Sequence, residues 1–188
     1  MDTRASISSL GPRDLLLHLR PGRGRLGLAL AGVIGRANEQ GRKPLVRGLT
    51  EARFQRLMNE IFDDCALTNG EAPTGPRPAD ADEFDDLVAL LLDHRAEPTE
   101  ERAWLAFAMA SAAMGEDHLW QDMGLPSRDV LSDLIGEHFP ALRAANAGNM
   151  KWKKFFYRQL CQRAGVPICK APHCAECADF PLCFAPED

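Results

Sequence analysis

Four cysteines fall close together near the end of the chain, as Cys169-x4-Cys174-x2-Cys177-x5-Cys183. Thiolates at this density can surround one metal centre with little help from other residues, because soft sulfur donors suit iron–sulfur clusters and zinc alike. The x4 and x2 intervals let three thiolates converge in one tight loop, a spacing known from iron–sulfur sites whose fourth ligand is distant. Here the fourth cysteine follows after only five residues, which suits a compact cluster. Zinc is the competing reading. Four cysteines make a tetrahedral zinc site, although zinc motifs more often use two separated C-x2-C knuckles and this run holds one. Disulfides, redox-active or structural, are the third reading. His173, beside Cys174, is an alternative ligand under either metal.

The segment that carries these residues cannot build a core of its own. It has few large apolar side chains, and Pro167, Pro172, Pro181 and Pro186 argue against regular structure. A bound metal would supply the missing ordering energy. Disulfide scaffolds, by contrast, usually spread their cysteines through a small secreted chain, and the other two cysteines here, Cys65 and Cys161, stand well apart from the run.

The element that must position the tail is a helix over residues 150–164, with Gly165 as its stop. At 100° per residue, Trp152, Phe155, Phe156 and Leu160 form an apolar stripe that faces a core. Lys151, Lys154, Arg158 and Cys161 fall together on the opposite side. That side is either a solvated basic back or, because it leads into the cysteines, a surface that attracts an oxyanion or an acidic partner. Cationic neighbours favour a thiolate at Cys161, whereas a helix C-terminus opposes one.

Upstream, the pattern is helical almost throughout, with no β alternation and no internal repeat. The fold class expected is all-α: a helical domain over 1–164, interrupted by an exposed Pro/Gly loop at 70–79, then an irregular Cys-rich metal-binding tail at 165–188. Helices are expected at 26–39, from Thr50 onward, at 81–96, at 100–114 and from Ser127 to His138, where Pro140 interrupts. In the Thr50 helix, Phe54, Leu57, Met58, Ile61, Phe62 and Cys65 recur on one face, and Leu49 with Phe54 can form a hydrophobic staple. Cys65 therefore reads as core. Asp80 with Glu83 suggests a capping box, and His94 and Arg95 suit the last turn of that helix. Residues 103–114 are apolar nearly all round, as in a central buried helix. Residues 115–125 read as a loop or short helical turn, and 146–149 as a break. His18 and His138 look incidental.

The totals exclude several classes. A net charge of −5 over 188 residues argues against a nucleic-acid binder. No stretch reaches the 18 or so apolar residues of a membrane span. Arg20, Arg23 and Arg25 before the apolar run 26–35 imitate a secretory signal, but an amphipathic first helix explains the same residues. There is no glycine-rich phosphate loop, nucleophile motif or C-x3-C-x2-C arrangement, so an enzyme is not expected.

The run from Met150 through Cys161, then the four spaced cysteines, strongly resembles the NifQ family of nitrogen-fixation proteins. His118-Leu-Trp-Gln-Asp-Met-Gly-Leu125 is similar to that family too. The specific likeness covers roughly residues 85–188, and no motif cysteine departs from it. The resemblance implies a carrier of a molybdenum–iron–sulfur cluster that donates molybdenum to assembly of the iron–molybdenum cofactor of nitrogenase. The implied partners are the cofactor scaffold protein, the nitrogenase iron protein and molybdate, with no nucleic acid and no membrane, in bacterial cytoplasm at low oxygen. On this reading Cys169, Cys174, Cys177 and Cys183 hold the cluster through its irons. An exchangeable position on molybdenum falls to His118, His173 or Cys161, and Lys151, Lys154 and Arg158 receive molybdate or the scaffold. His118 could equally cap a helix or pack beside Trp120. The rival functions are a zinc-stabilised interaction module and a small iron–sulfur electron-transfer protein.

Overall fold

Caps and buried stripes set the helices of this chain, and most breaks between them fall at glycine, proline or asparagine. The computed structural model describes residues 10–71, 74–165 and 180–187. Among them run α1 (Pro12–Leu17), α2 (Gly24–Glu39), α3 (Glu51–Ile61), α4 (Ala81–Asp93) and α5 (Glu100–Ala113). The order continues with α6 (Leu119–Asp122), α7 (Arg128–His138), α8 (Pro140–Ala145), α9 (Trp152–Arg163) and α10 (Phe180–Phe184). The expected all-α class is observed; among the described residues the nearest approach to a sheet is one isolated antiparallel bridge, Leu19 with Phe62.

Helix α5 is the central strut, as its all-round apolar pattern requires. Trp104, Leu105, Ala106, Ala108, Met109 and Ala110 are fully buried. The Thr99 hydroxyl caps it by accepting from the Arg102 N–H at 3.4 Å. Glu100 in its first turn accepts from Arg53 at 2.9 and 3.2 Å and from Trp104 Nε1 at 3.1 Å. Helix α2 lies against α1, α5 and α7, while α4 lies between α5 and α9. Glycine permits one of these approaches: a Cβ on Gly32 would meet the Met123 carbonyl oxygen at 2.0 Å. Gly124, at φ +65°, completes that crossing in the left-handed region.

Several expected details differ. Helix α1, which precedes the first expected helix, buries Leu15 completely. Helix α3 stops at Ile61, so Cys65 lies beyond it rather than on its face; it is half-buried against the core all the same, and burial raises its thiol pKa. The Asp80–Glu83 capping box does not form. The Asp80 carboxylate turns instead to Arg47, at 2.7 and 3.2 Å, and Glu83 accepts from the Tyr157 hydroxyl on α9. Two stronger charged or long-range partners thus outcompete the local box. Helix α4 ends at Asp93, and His94 and Arg95 follow it, their side chains reaching back to the carbonyls of Leu90 and Leu92 at 2.8 and 2.9 Å.

The end of the tail is a further correction. Residues Phe180–Phe184 are helical despite Pro181. Proline is tolerated in a first turn because no helical acceptor awaits its missing N–H there. The Phe180 and Phe184 rings stack across this turn, with centroids 4.4 Å apart.

Candidate functional site

Cys169, His173, Cys174 and Cys177 lie outside the described residues, which flank them at α9 on one side and α10 on the other. Helix α9 leads into the cysteine segment as expected. Trp152, Phe155 and Phe156 are buried, and Trp152 packs edge-on to Phe155 at 5.6 Å. The indole Nε1 of Trp152 donates to Ser132 Oγ at 3.0 Å, which ties α9 to α7. Along its other flank, Arg163 bonds Asp93 of α4 at 3.1 Å.

The turn before α9 is fixed by two polar side chains. Asn146, 2% exposed, accepts from the Met150 N–H and donates to the Met150 carbonyl, each at 2.8 Å. Arg128 Nη2 donates to the carbonyls of Asn149 and Met150 at 2.8 and 2.9 Å. Asn149 sits at φ +56°, a conformation that asparagine adopts more readily than most residues.

Onto this turn the end of the chain docks. The Lys151 N–H donates to the Cys183 carbonyl at 2.8 Å. Cys183 is half-buried with a free thiol, as is Cys161. The Glu187 carboxylate is 3% exposed and lies 3.6 Å from His118 Nδ1 and 3.7 Å from Arg128 Nε. His118 is the N-cap of α6, where the Gln121 side chain accepts from its N–H at 3.1 Å. The capping alternative read for His118 therefore holds for its backbone, while its ring turns toward the tail.

Two clefts border this docked end. One, of about 210 Å³, is lined by His118, Leu119, Lys151, Lys153, Lys154, Leu182 and Glu187. The other, of about 340 Å³, is lined in part by Asn146, Arg158, Gln159, Gln162 and Phe184. The structure thus brings Lys151, Lys154 and His118 together but places Arg158 on a different cleft, and Cys161 lines neither. The three cations expected to act as one face are divided between two sites. Among the described residues, no group of three or more His, Cys, Asp or Glu side chains could hold a metal.

Three contributors were not legible in the sequence. Lys153 falls outside the basic face by helical angle, yet it reaches Asp122 at 2.5 Å and the Gly115 carbonyl at 2.7 Å. Arg128 and Glu187 carry no periodic or spacing signal, because their pairing joins elements far apart in the chain.

Comparison with known proteins places these features in a family context. The sequence model of the NifQ family matches residues 29–185. Protein NifQ of Klebsiella pneumoniae is 36% identical over 158 residues, which are 77% of this chain and 89% of that protein. Protein NifQ of Azotobacter vinelandii is 45% identical over 106 residues, 56% of this chain and 54% of its own length. That of Rhodobacter capsulatus is 45% identical over 112 residues, 60% of this chain and 62% of its own. The chain therefore spans little more than half the length of these last two relatives. The likeness reaches well before residue 85, where the specific motifs begin. No solved structure matches.

Proposed function

Because the chain belongs to the NifQ family of nitrogen-fixation proteins, we propose that it carries a molybdenum–iron–sulfur cluster and gives up molybdenum to assembly of the iron–molybdenum cofactor. The cluster is cargo. Cys169, Cys174, Cys177 and Cys183 are its ligands, held chiefly through iron, for which thiolate is a suitable soft donor. The observation that carries this reading is the four-cysteine spacing together with the docked position of its last member. Cys183 fits the role: its thiol is free, and its backbone is pinned to the start of α9.

In this reading the helical body positions the cysteine segment, and the cargo is handed over there. A carboxylate beside one imidazole nitrogen is the arrangement that orients a histidine ligand through its other nitrogen. With Glu187 3.6 Å from its Nδ1, His118 is placed to be so oriented, and it is one of three candidates, with His173 and Cys161, for an exchangeable position on molybdenum. The recipients in this reading are the cofactor scaffold protein and the nitrogenase iron protein, and molybdate is the source of the metal. The protein acts as a carrier and not as a catalyst.

The test is metal and sulfide analysis of protein purified without oxygen, together with its visible spectrum. Iron with acid-labile sulfide and molybdenum is the expected result, and molybdenum should pass to a scaffold protein added afterwards. Zinc at about one per chain, with no visible absorbance even after iron and sulfide reconstitution, would replace this reading with a zinc-stabilised interaction module. A reversible redox couple with no metal loss would replace it with electron transfer.

A further inference from the structure

We infer that the cleft between α9, α6 and the docked chain end binds a tetrahedral oxyanion dianion, through Lys151 and Lys154, before any metal reaches the cysteines. This rests on the carrier reading above and adds to it an entry site for the cargo in its oxyanion form.

The charge balance of the cleft points to such an occupant. Lys153 is committed to Asp122 at 2.5 Å, and Glu187 is balanced by Arg128 at 3.7 Å and neighboured by His118. Among the described residues, Lys151 and Lys154 have no carboxylate partner. Two ammonium groups with no carboxylate partner among the described residues therefore border a cavity of about 210 Å³. A small dianion neutralises that pair. The volume lies below the ~300–1,000 Å³ typical of pockets for drug-sized ligands, so a nucleotide is a poor fit.

Backbone groups at the same end of α9 add to the field. Its first intrahelical bond runs from the Phe155 N–H to the Lys151 carbonyl at 2.9 Å. The N–H groups of Trp152, Lys153 and Lys154 consequently have no intrahelical acceptor and carry the positive end of the helix dipole. The Lys151 N–H is already used by Cys183, so whatever binds here lies next to the chain segment that bears the fourth cysteine. The cleft wall formed by Leu182 and Glu187 is part of that segment.

The experiment is isothermal titration of the full chain, purified without oxygen and free of metal, with sodium molybdate, tungstate and sulfate. Saturable, salt-sensitive binding at a single site is expected for molybdate and tungstate, with sulfate competing because it shares charge and geometry. Lys151→Ala with Lys154→Ala should weaken binding by about tenfold or more, the loss of two charge-assisted contacts. Lys154→Glu should do the same, whereas Arg158→Ala, in the other cleft, should leave the affinity unchanged. The inference is overturned if no tetrahedral oxyanion binds, if the lysine variants bind as the parent does, or if binding disappears on Cys177→Ala instead. Iron and sulfide loading of each variant is measured in parallel. Normal loading with lost oxyanion binding in the lysine variants separates the two sites. Failure of loading in the parent chain strikes the carrier reading alone.

Discussion

Cys65, packed against the core, and Cys177, a cluster ligand in the proposed reading, carry opposite predictions. Burial against the core raises the Cys65 pKa, so it should react slowly with iodoacetamide in the folded protein and quickly in denaturant. Cys65→Ala should leave the metal content unchanged. Cys177→Ala should abolish cluster binding while the far-ultraviolet circular dichroism of the helices stays nearly intact; a global loss of helicity would show that the cysteine segment and the helical body fold as one. His138, which reads as incidental in the sequence, is 8% exposed, and neither ring nitrogen has a hydrogen-bond partner among the described residues. Burial lowers its pKa from 6.5, against the opposing pull of Glu137 and Glu101, with Arg102 adding to the lowering. A depressed histidine contributes stability that is present above the unfolded pKa and is lost as pH falls through the folded one. Unfolding free energy should therefore decline on acidification below about pH 6.5, and His138→Phe should flatten that decline in denaturant titrations across pH. Sequence spacing reveals thiol clusters because ligands to one metal lie near one another in the chain. It cannot reveal a histidine whose surroundings are assembled from separate helices.

Helix identity is the level at which the sequence is most legible here. The periodic stripe of α3 and the all-round apolar pattern of α5 are local properties, and both elements form where those patterns lie. The stop of α3 and the side-chain partners of Asp80 are not local. Where α3 stops, Phe62 bridges Leu19 and the Ile61 carbonyl accepts from the Arg20 N–H, while Asp80 turns to Arg47, all from segments that the local pattern does not contain. Close approach between elements is equally hidden, since a glycine reads the same whether it faces solvent or a carbonyl. Gly32→Ala should destabilise the fold by roughly 1–3 kcal/mol, because the added methyl must displace the Met123 backbone. The turn before α9 makes a second element-level prediction. Asn146→Ala leaves the buried N–H and carbonyl of Met150 without this partner, at a cost of about 1–3 kcal/mol. Chemical denaturation reads both.

At the scale of the whole molecule, the described chain end touches the helical body through contacts of both polar and apolar kind, Phe184 packing against the core beside Gly148. Lys151 holds the Cys183 backbone, while Arg128 and His118 face Glu187. Glu187→Ala should loosen this end without unfolding the body, seen as faster amide hydrogen exchange at Lys151 with an unchanged global melting temperature. The architecture is legible in the sequence as far as a helical body preceding a cysteine segment. The docking of residues 180–187 onto the body is not, because no motif encodes a carbonyl meeting an N–H. The seam between α9 and α4 has a use of its own. The chain contains a single tyrosine, and Tyr157 is bonded there to Glu83. Burial and that carboxylate raise its pKa well above the ordinary value of 10.0. The contact is intact below the unfolded phenol's pKa and is lost as pH rises through the folded one. The protein thus contains a built-in optical gauge: any ligand or partner that lifts α9 away from α4 will let the phenol ionise at lower pH, reporting that movement in ultraviolet difference absorbance with no label attached.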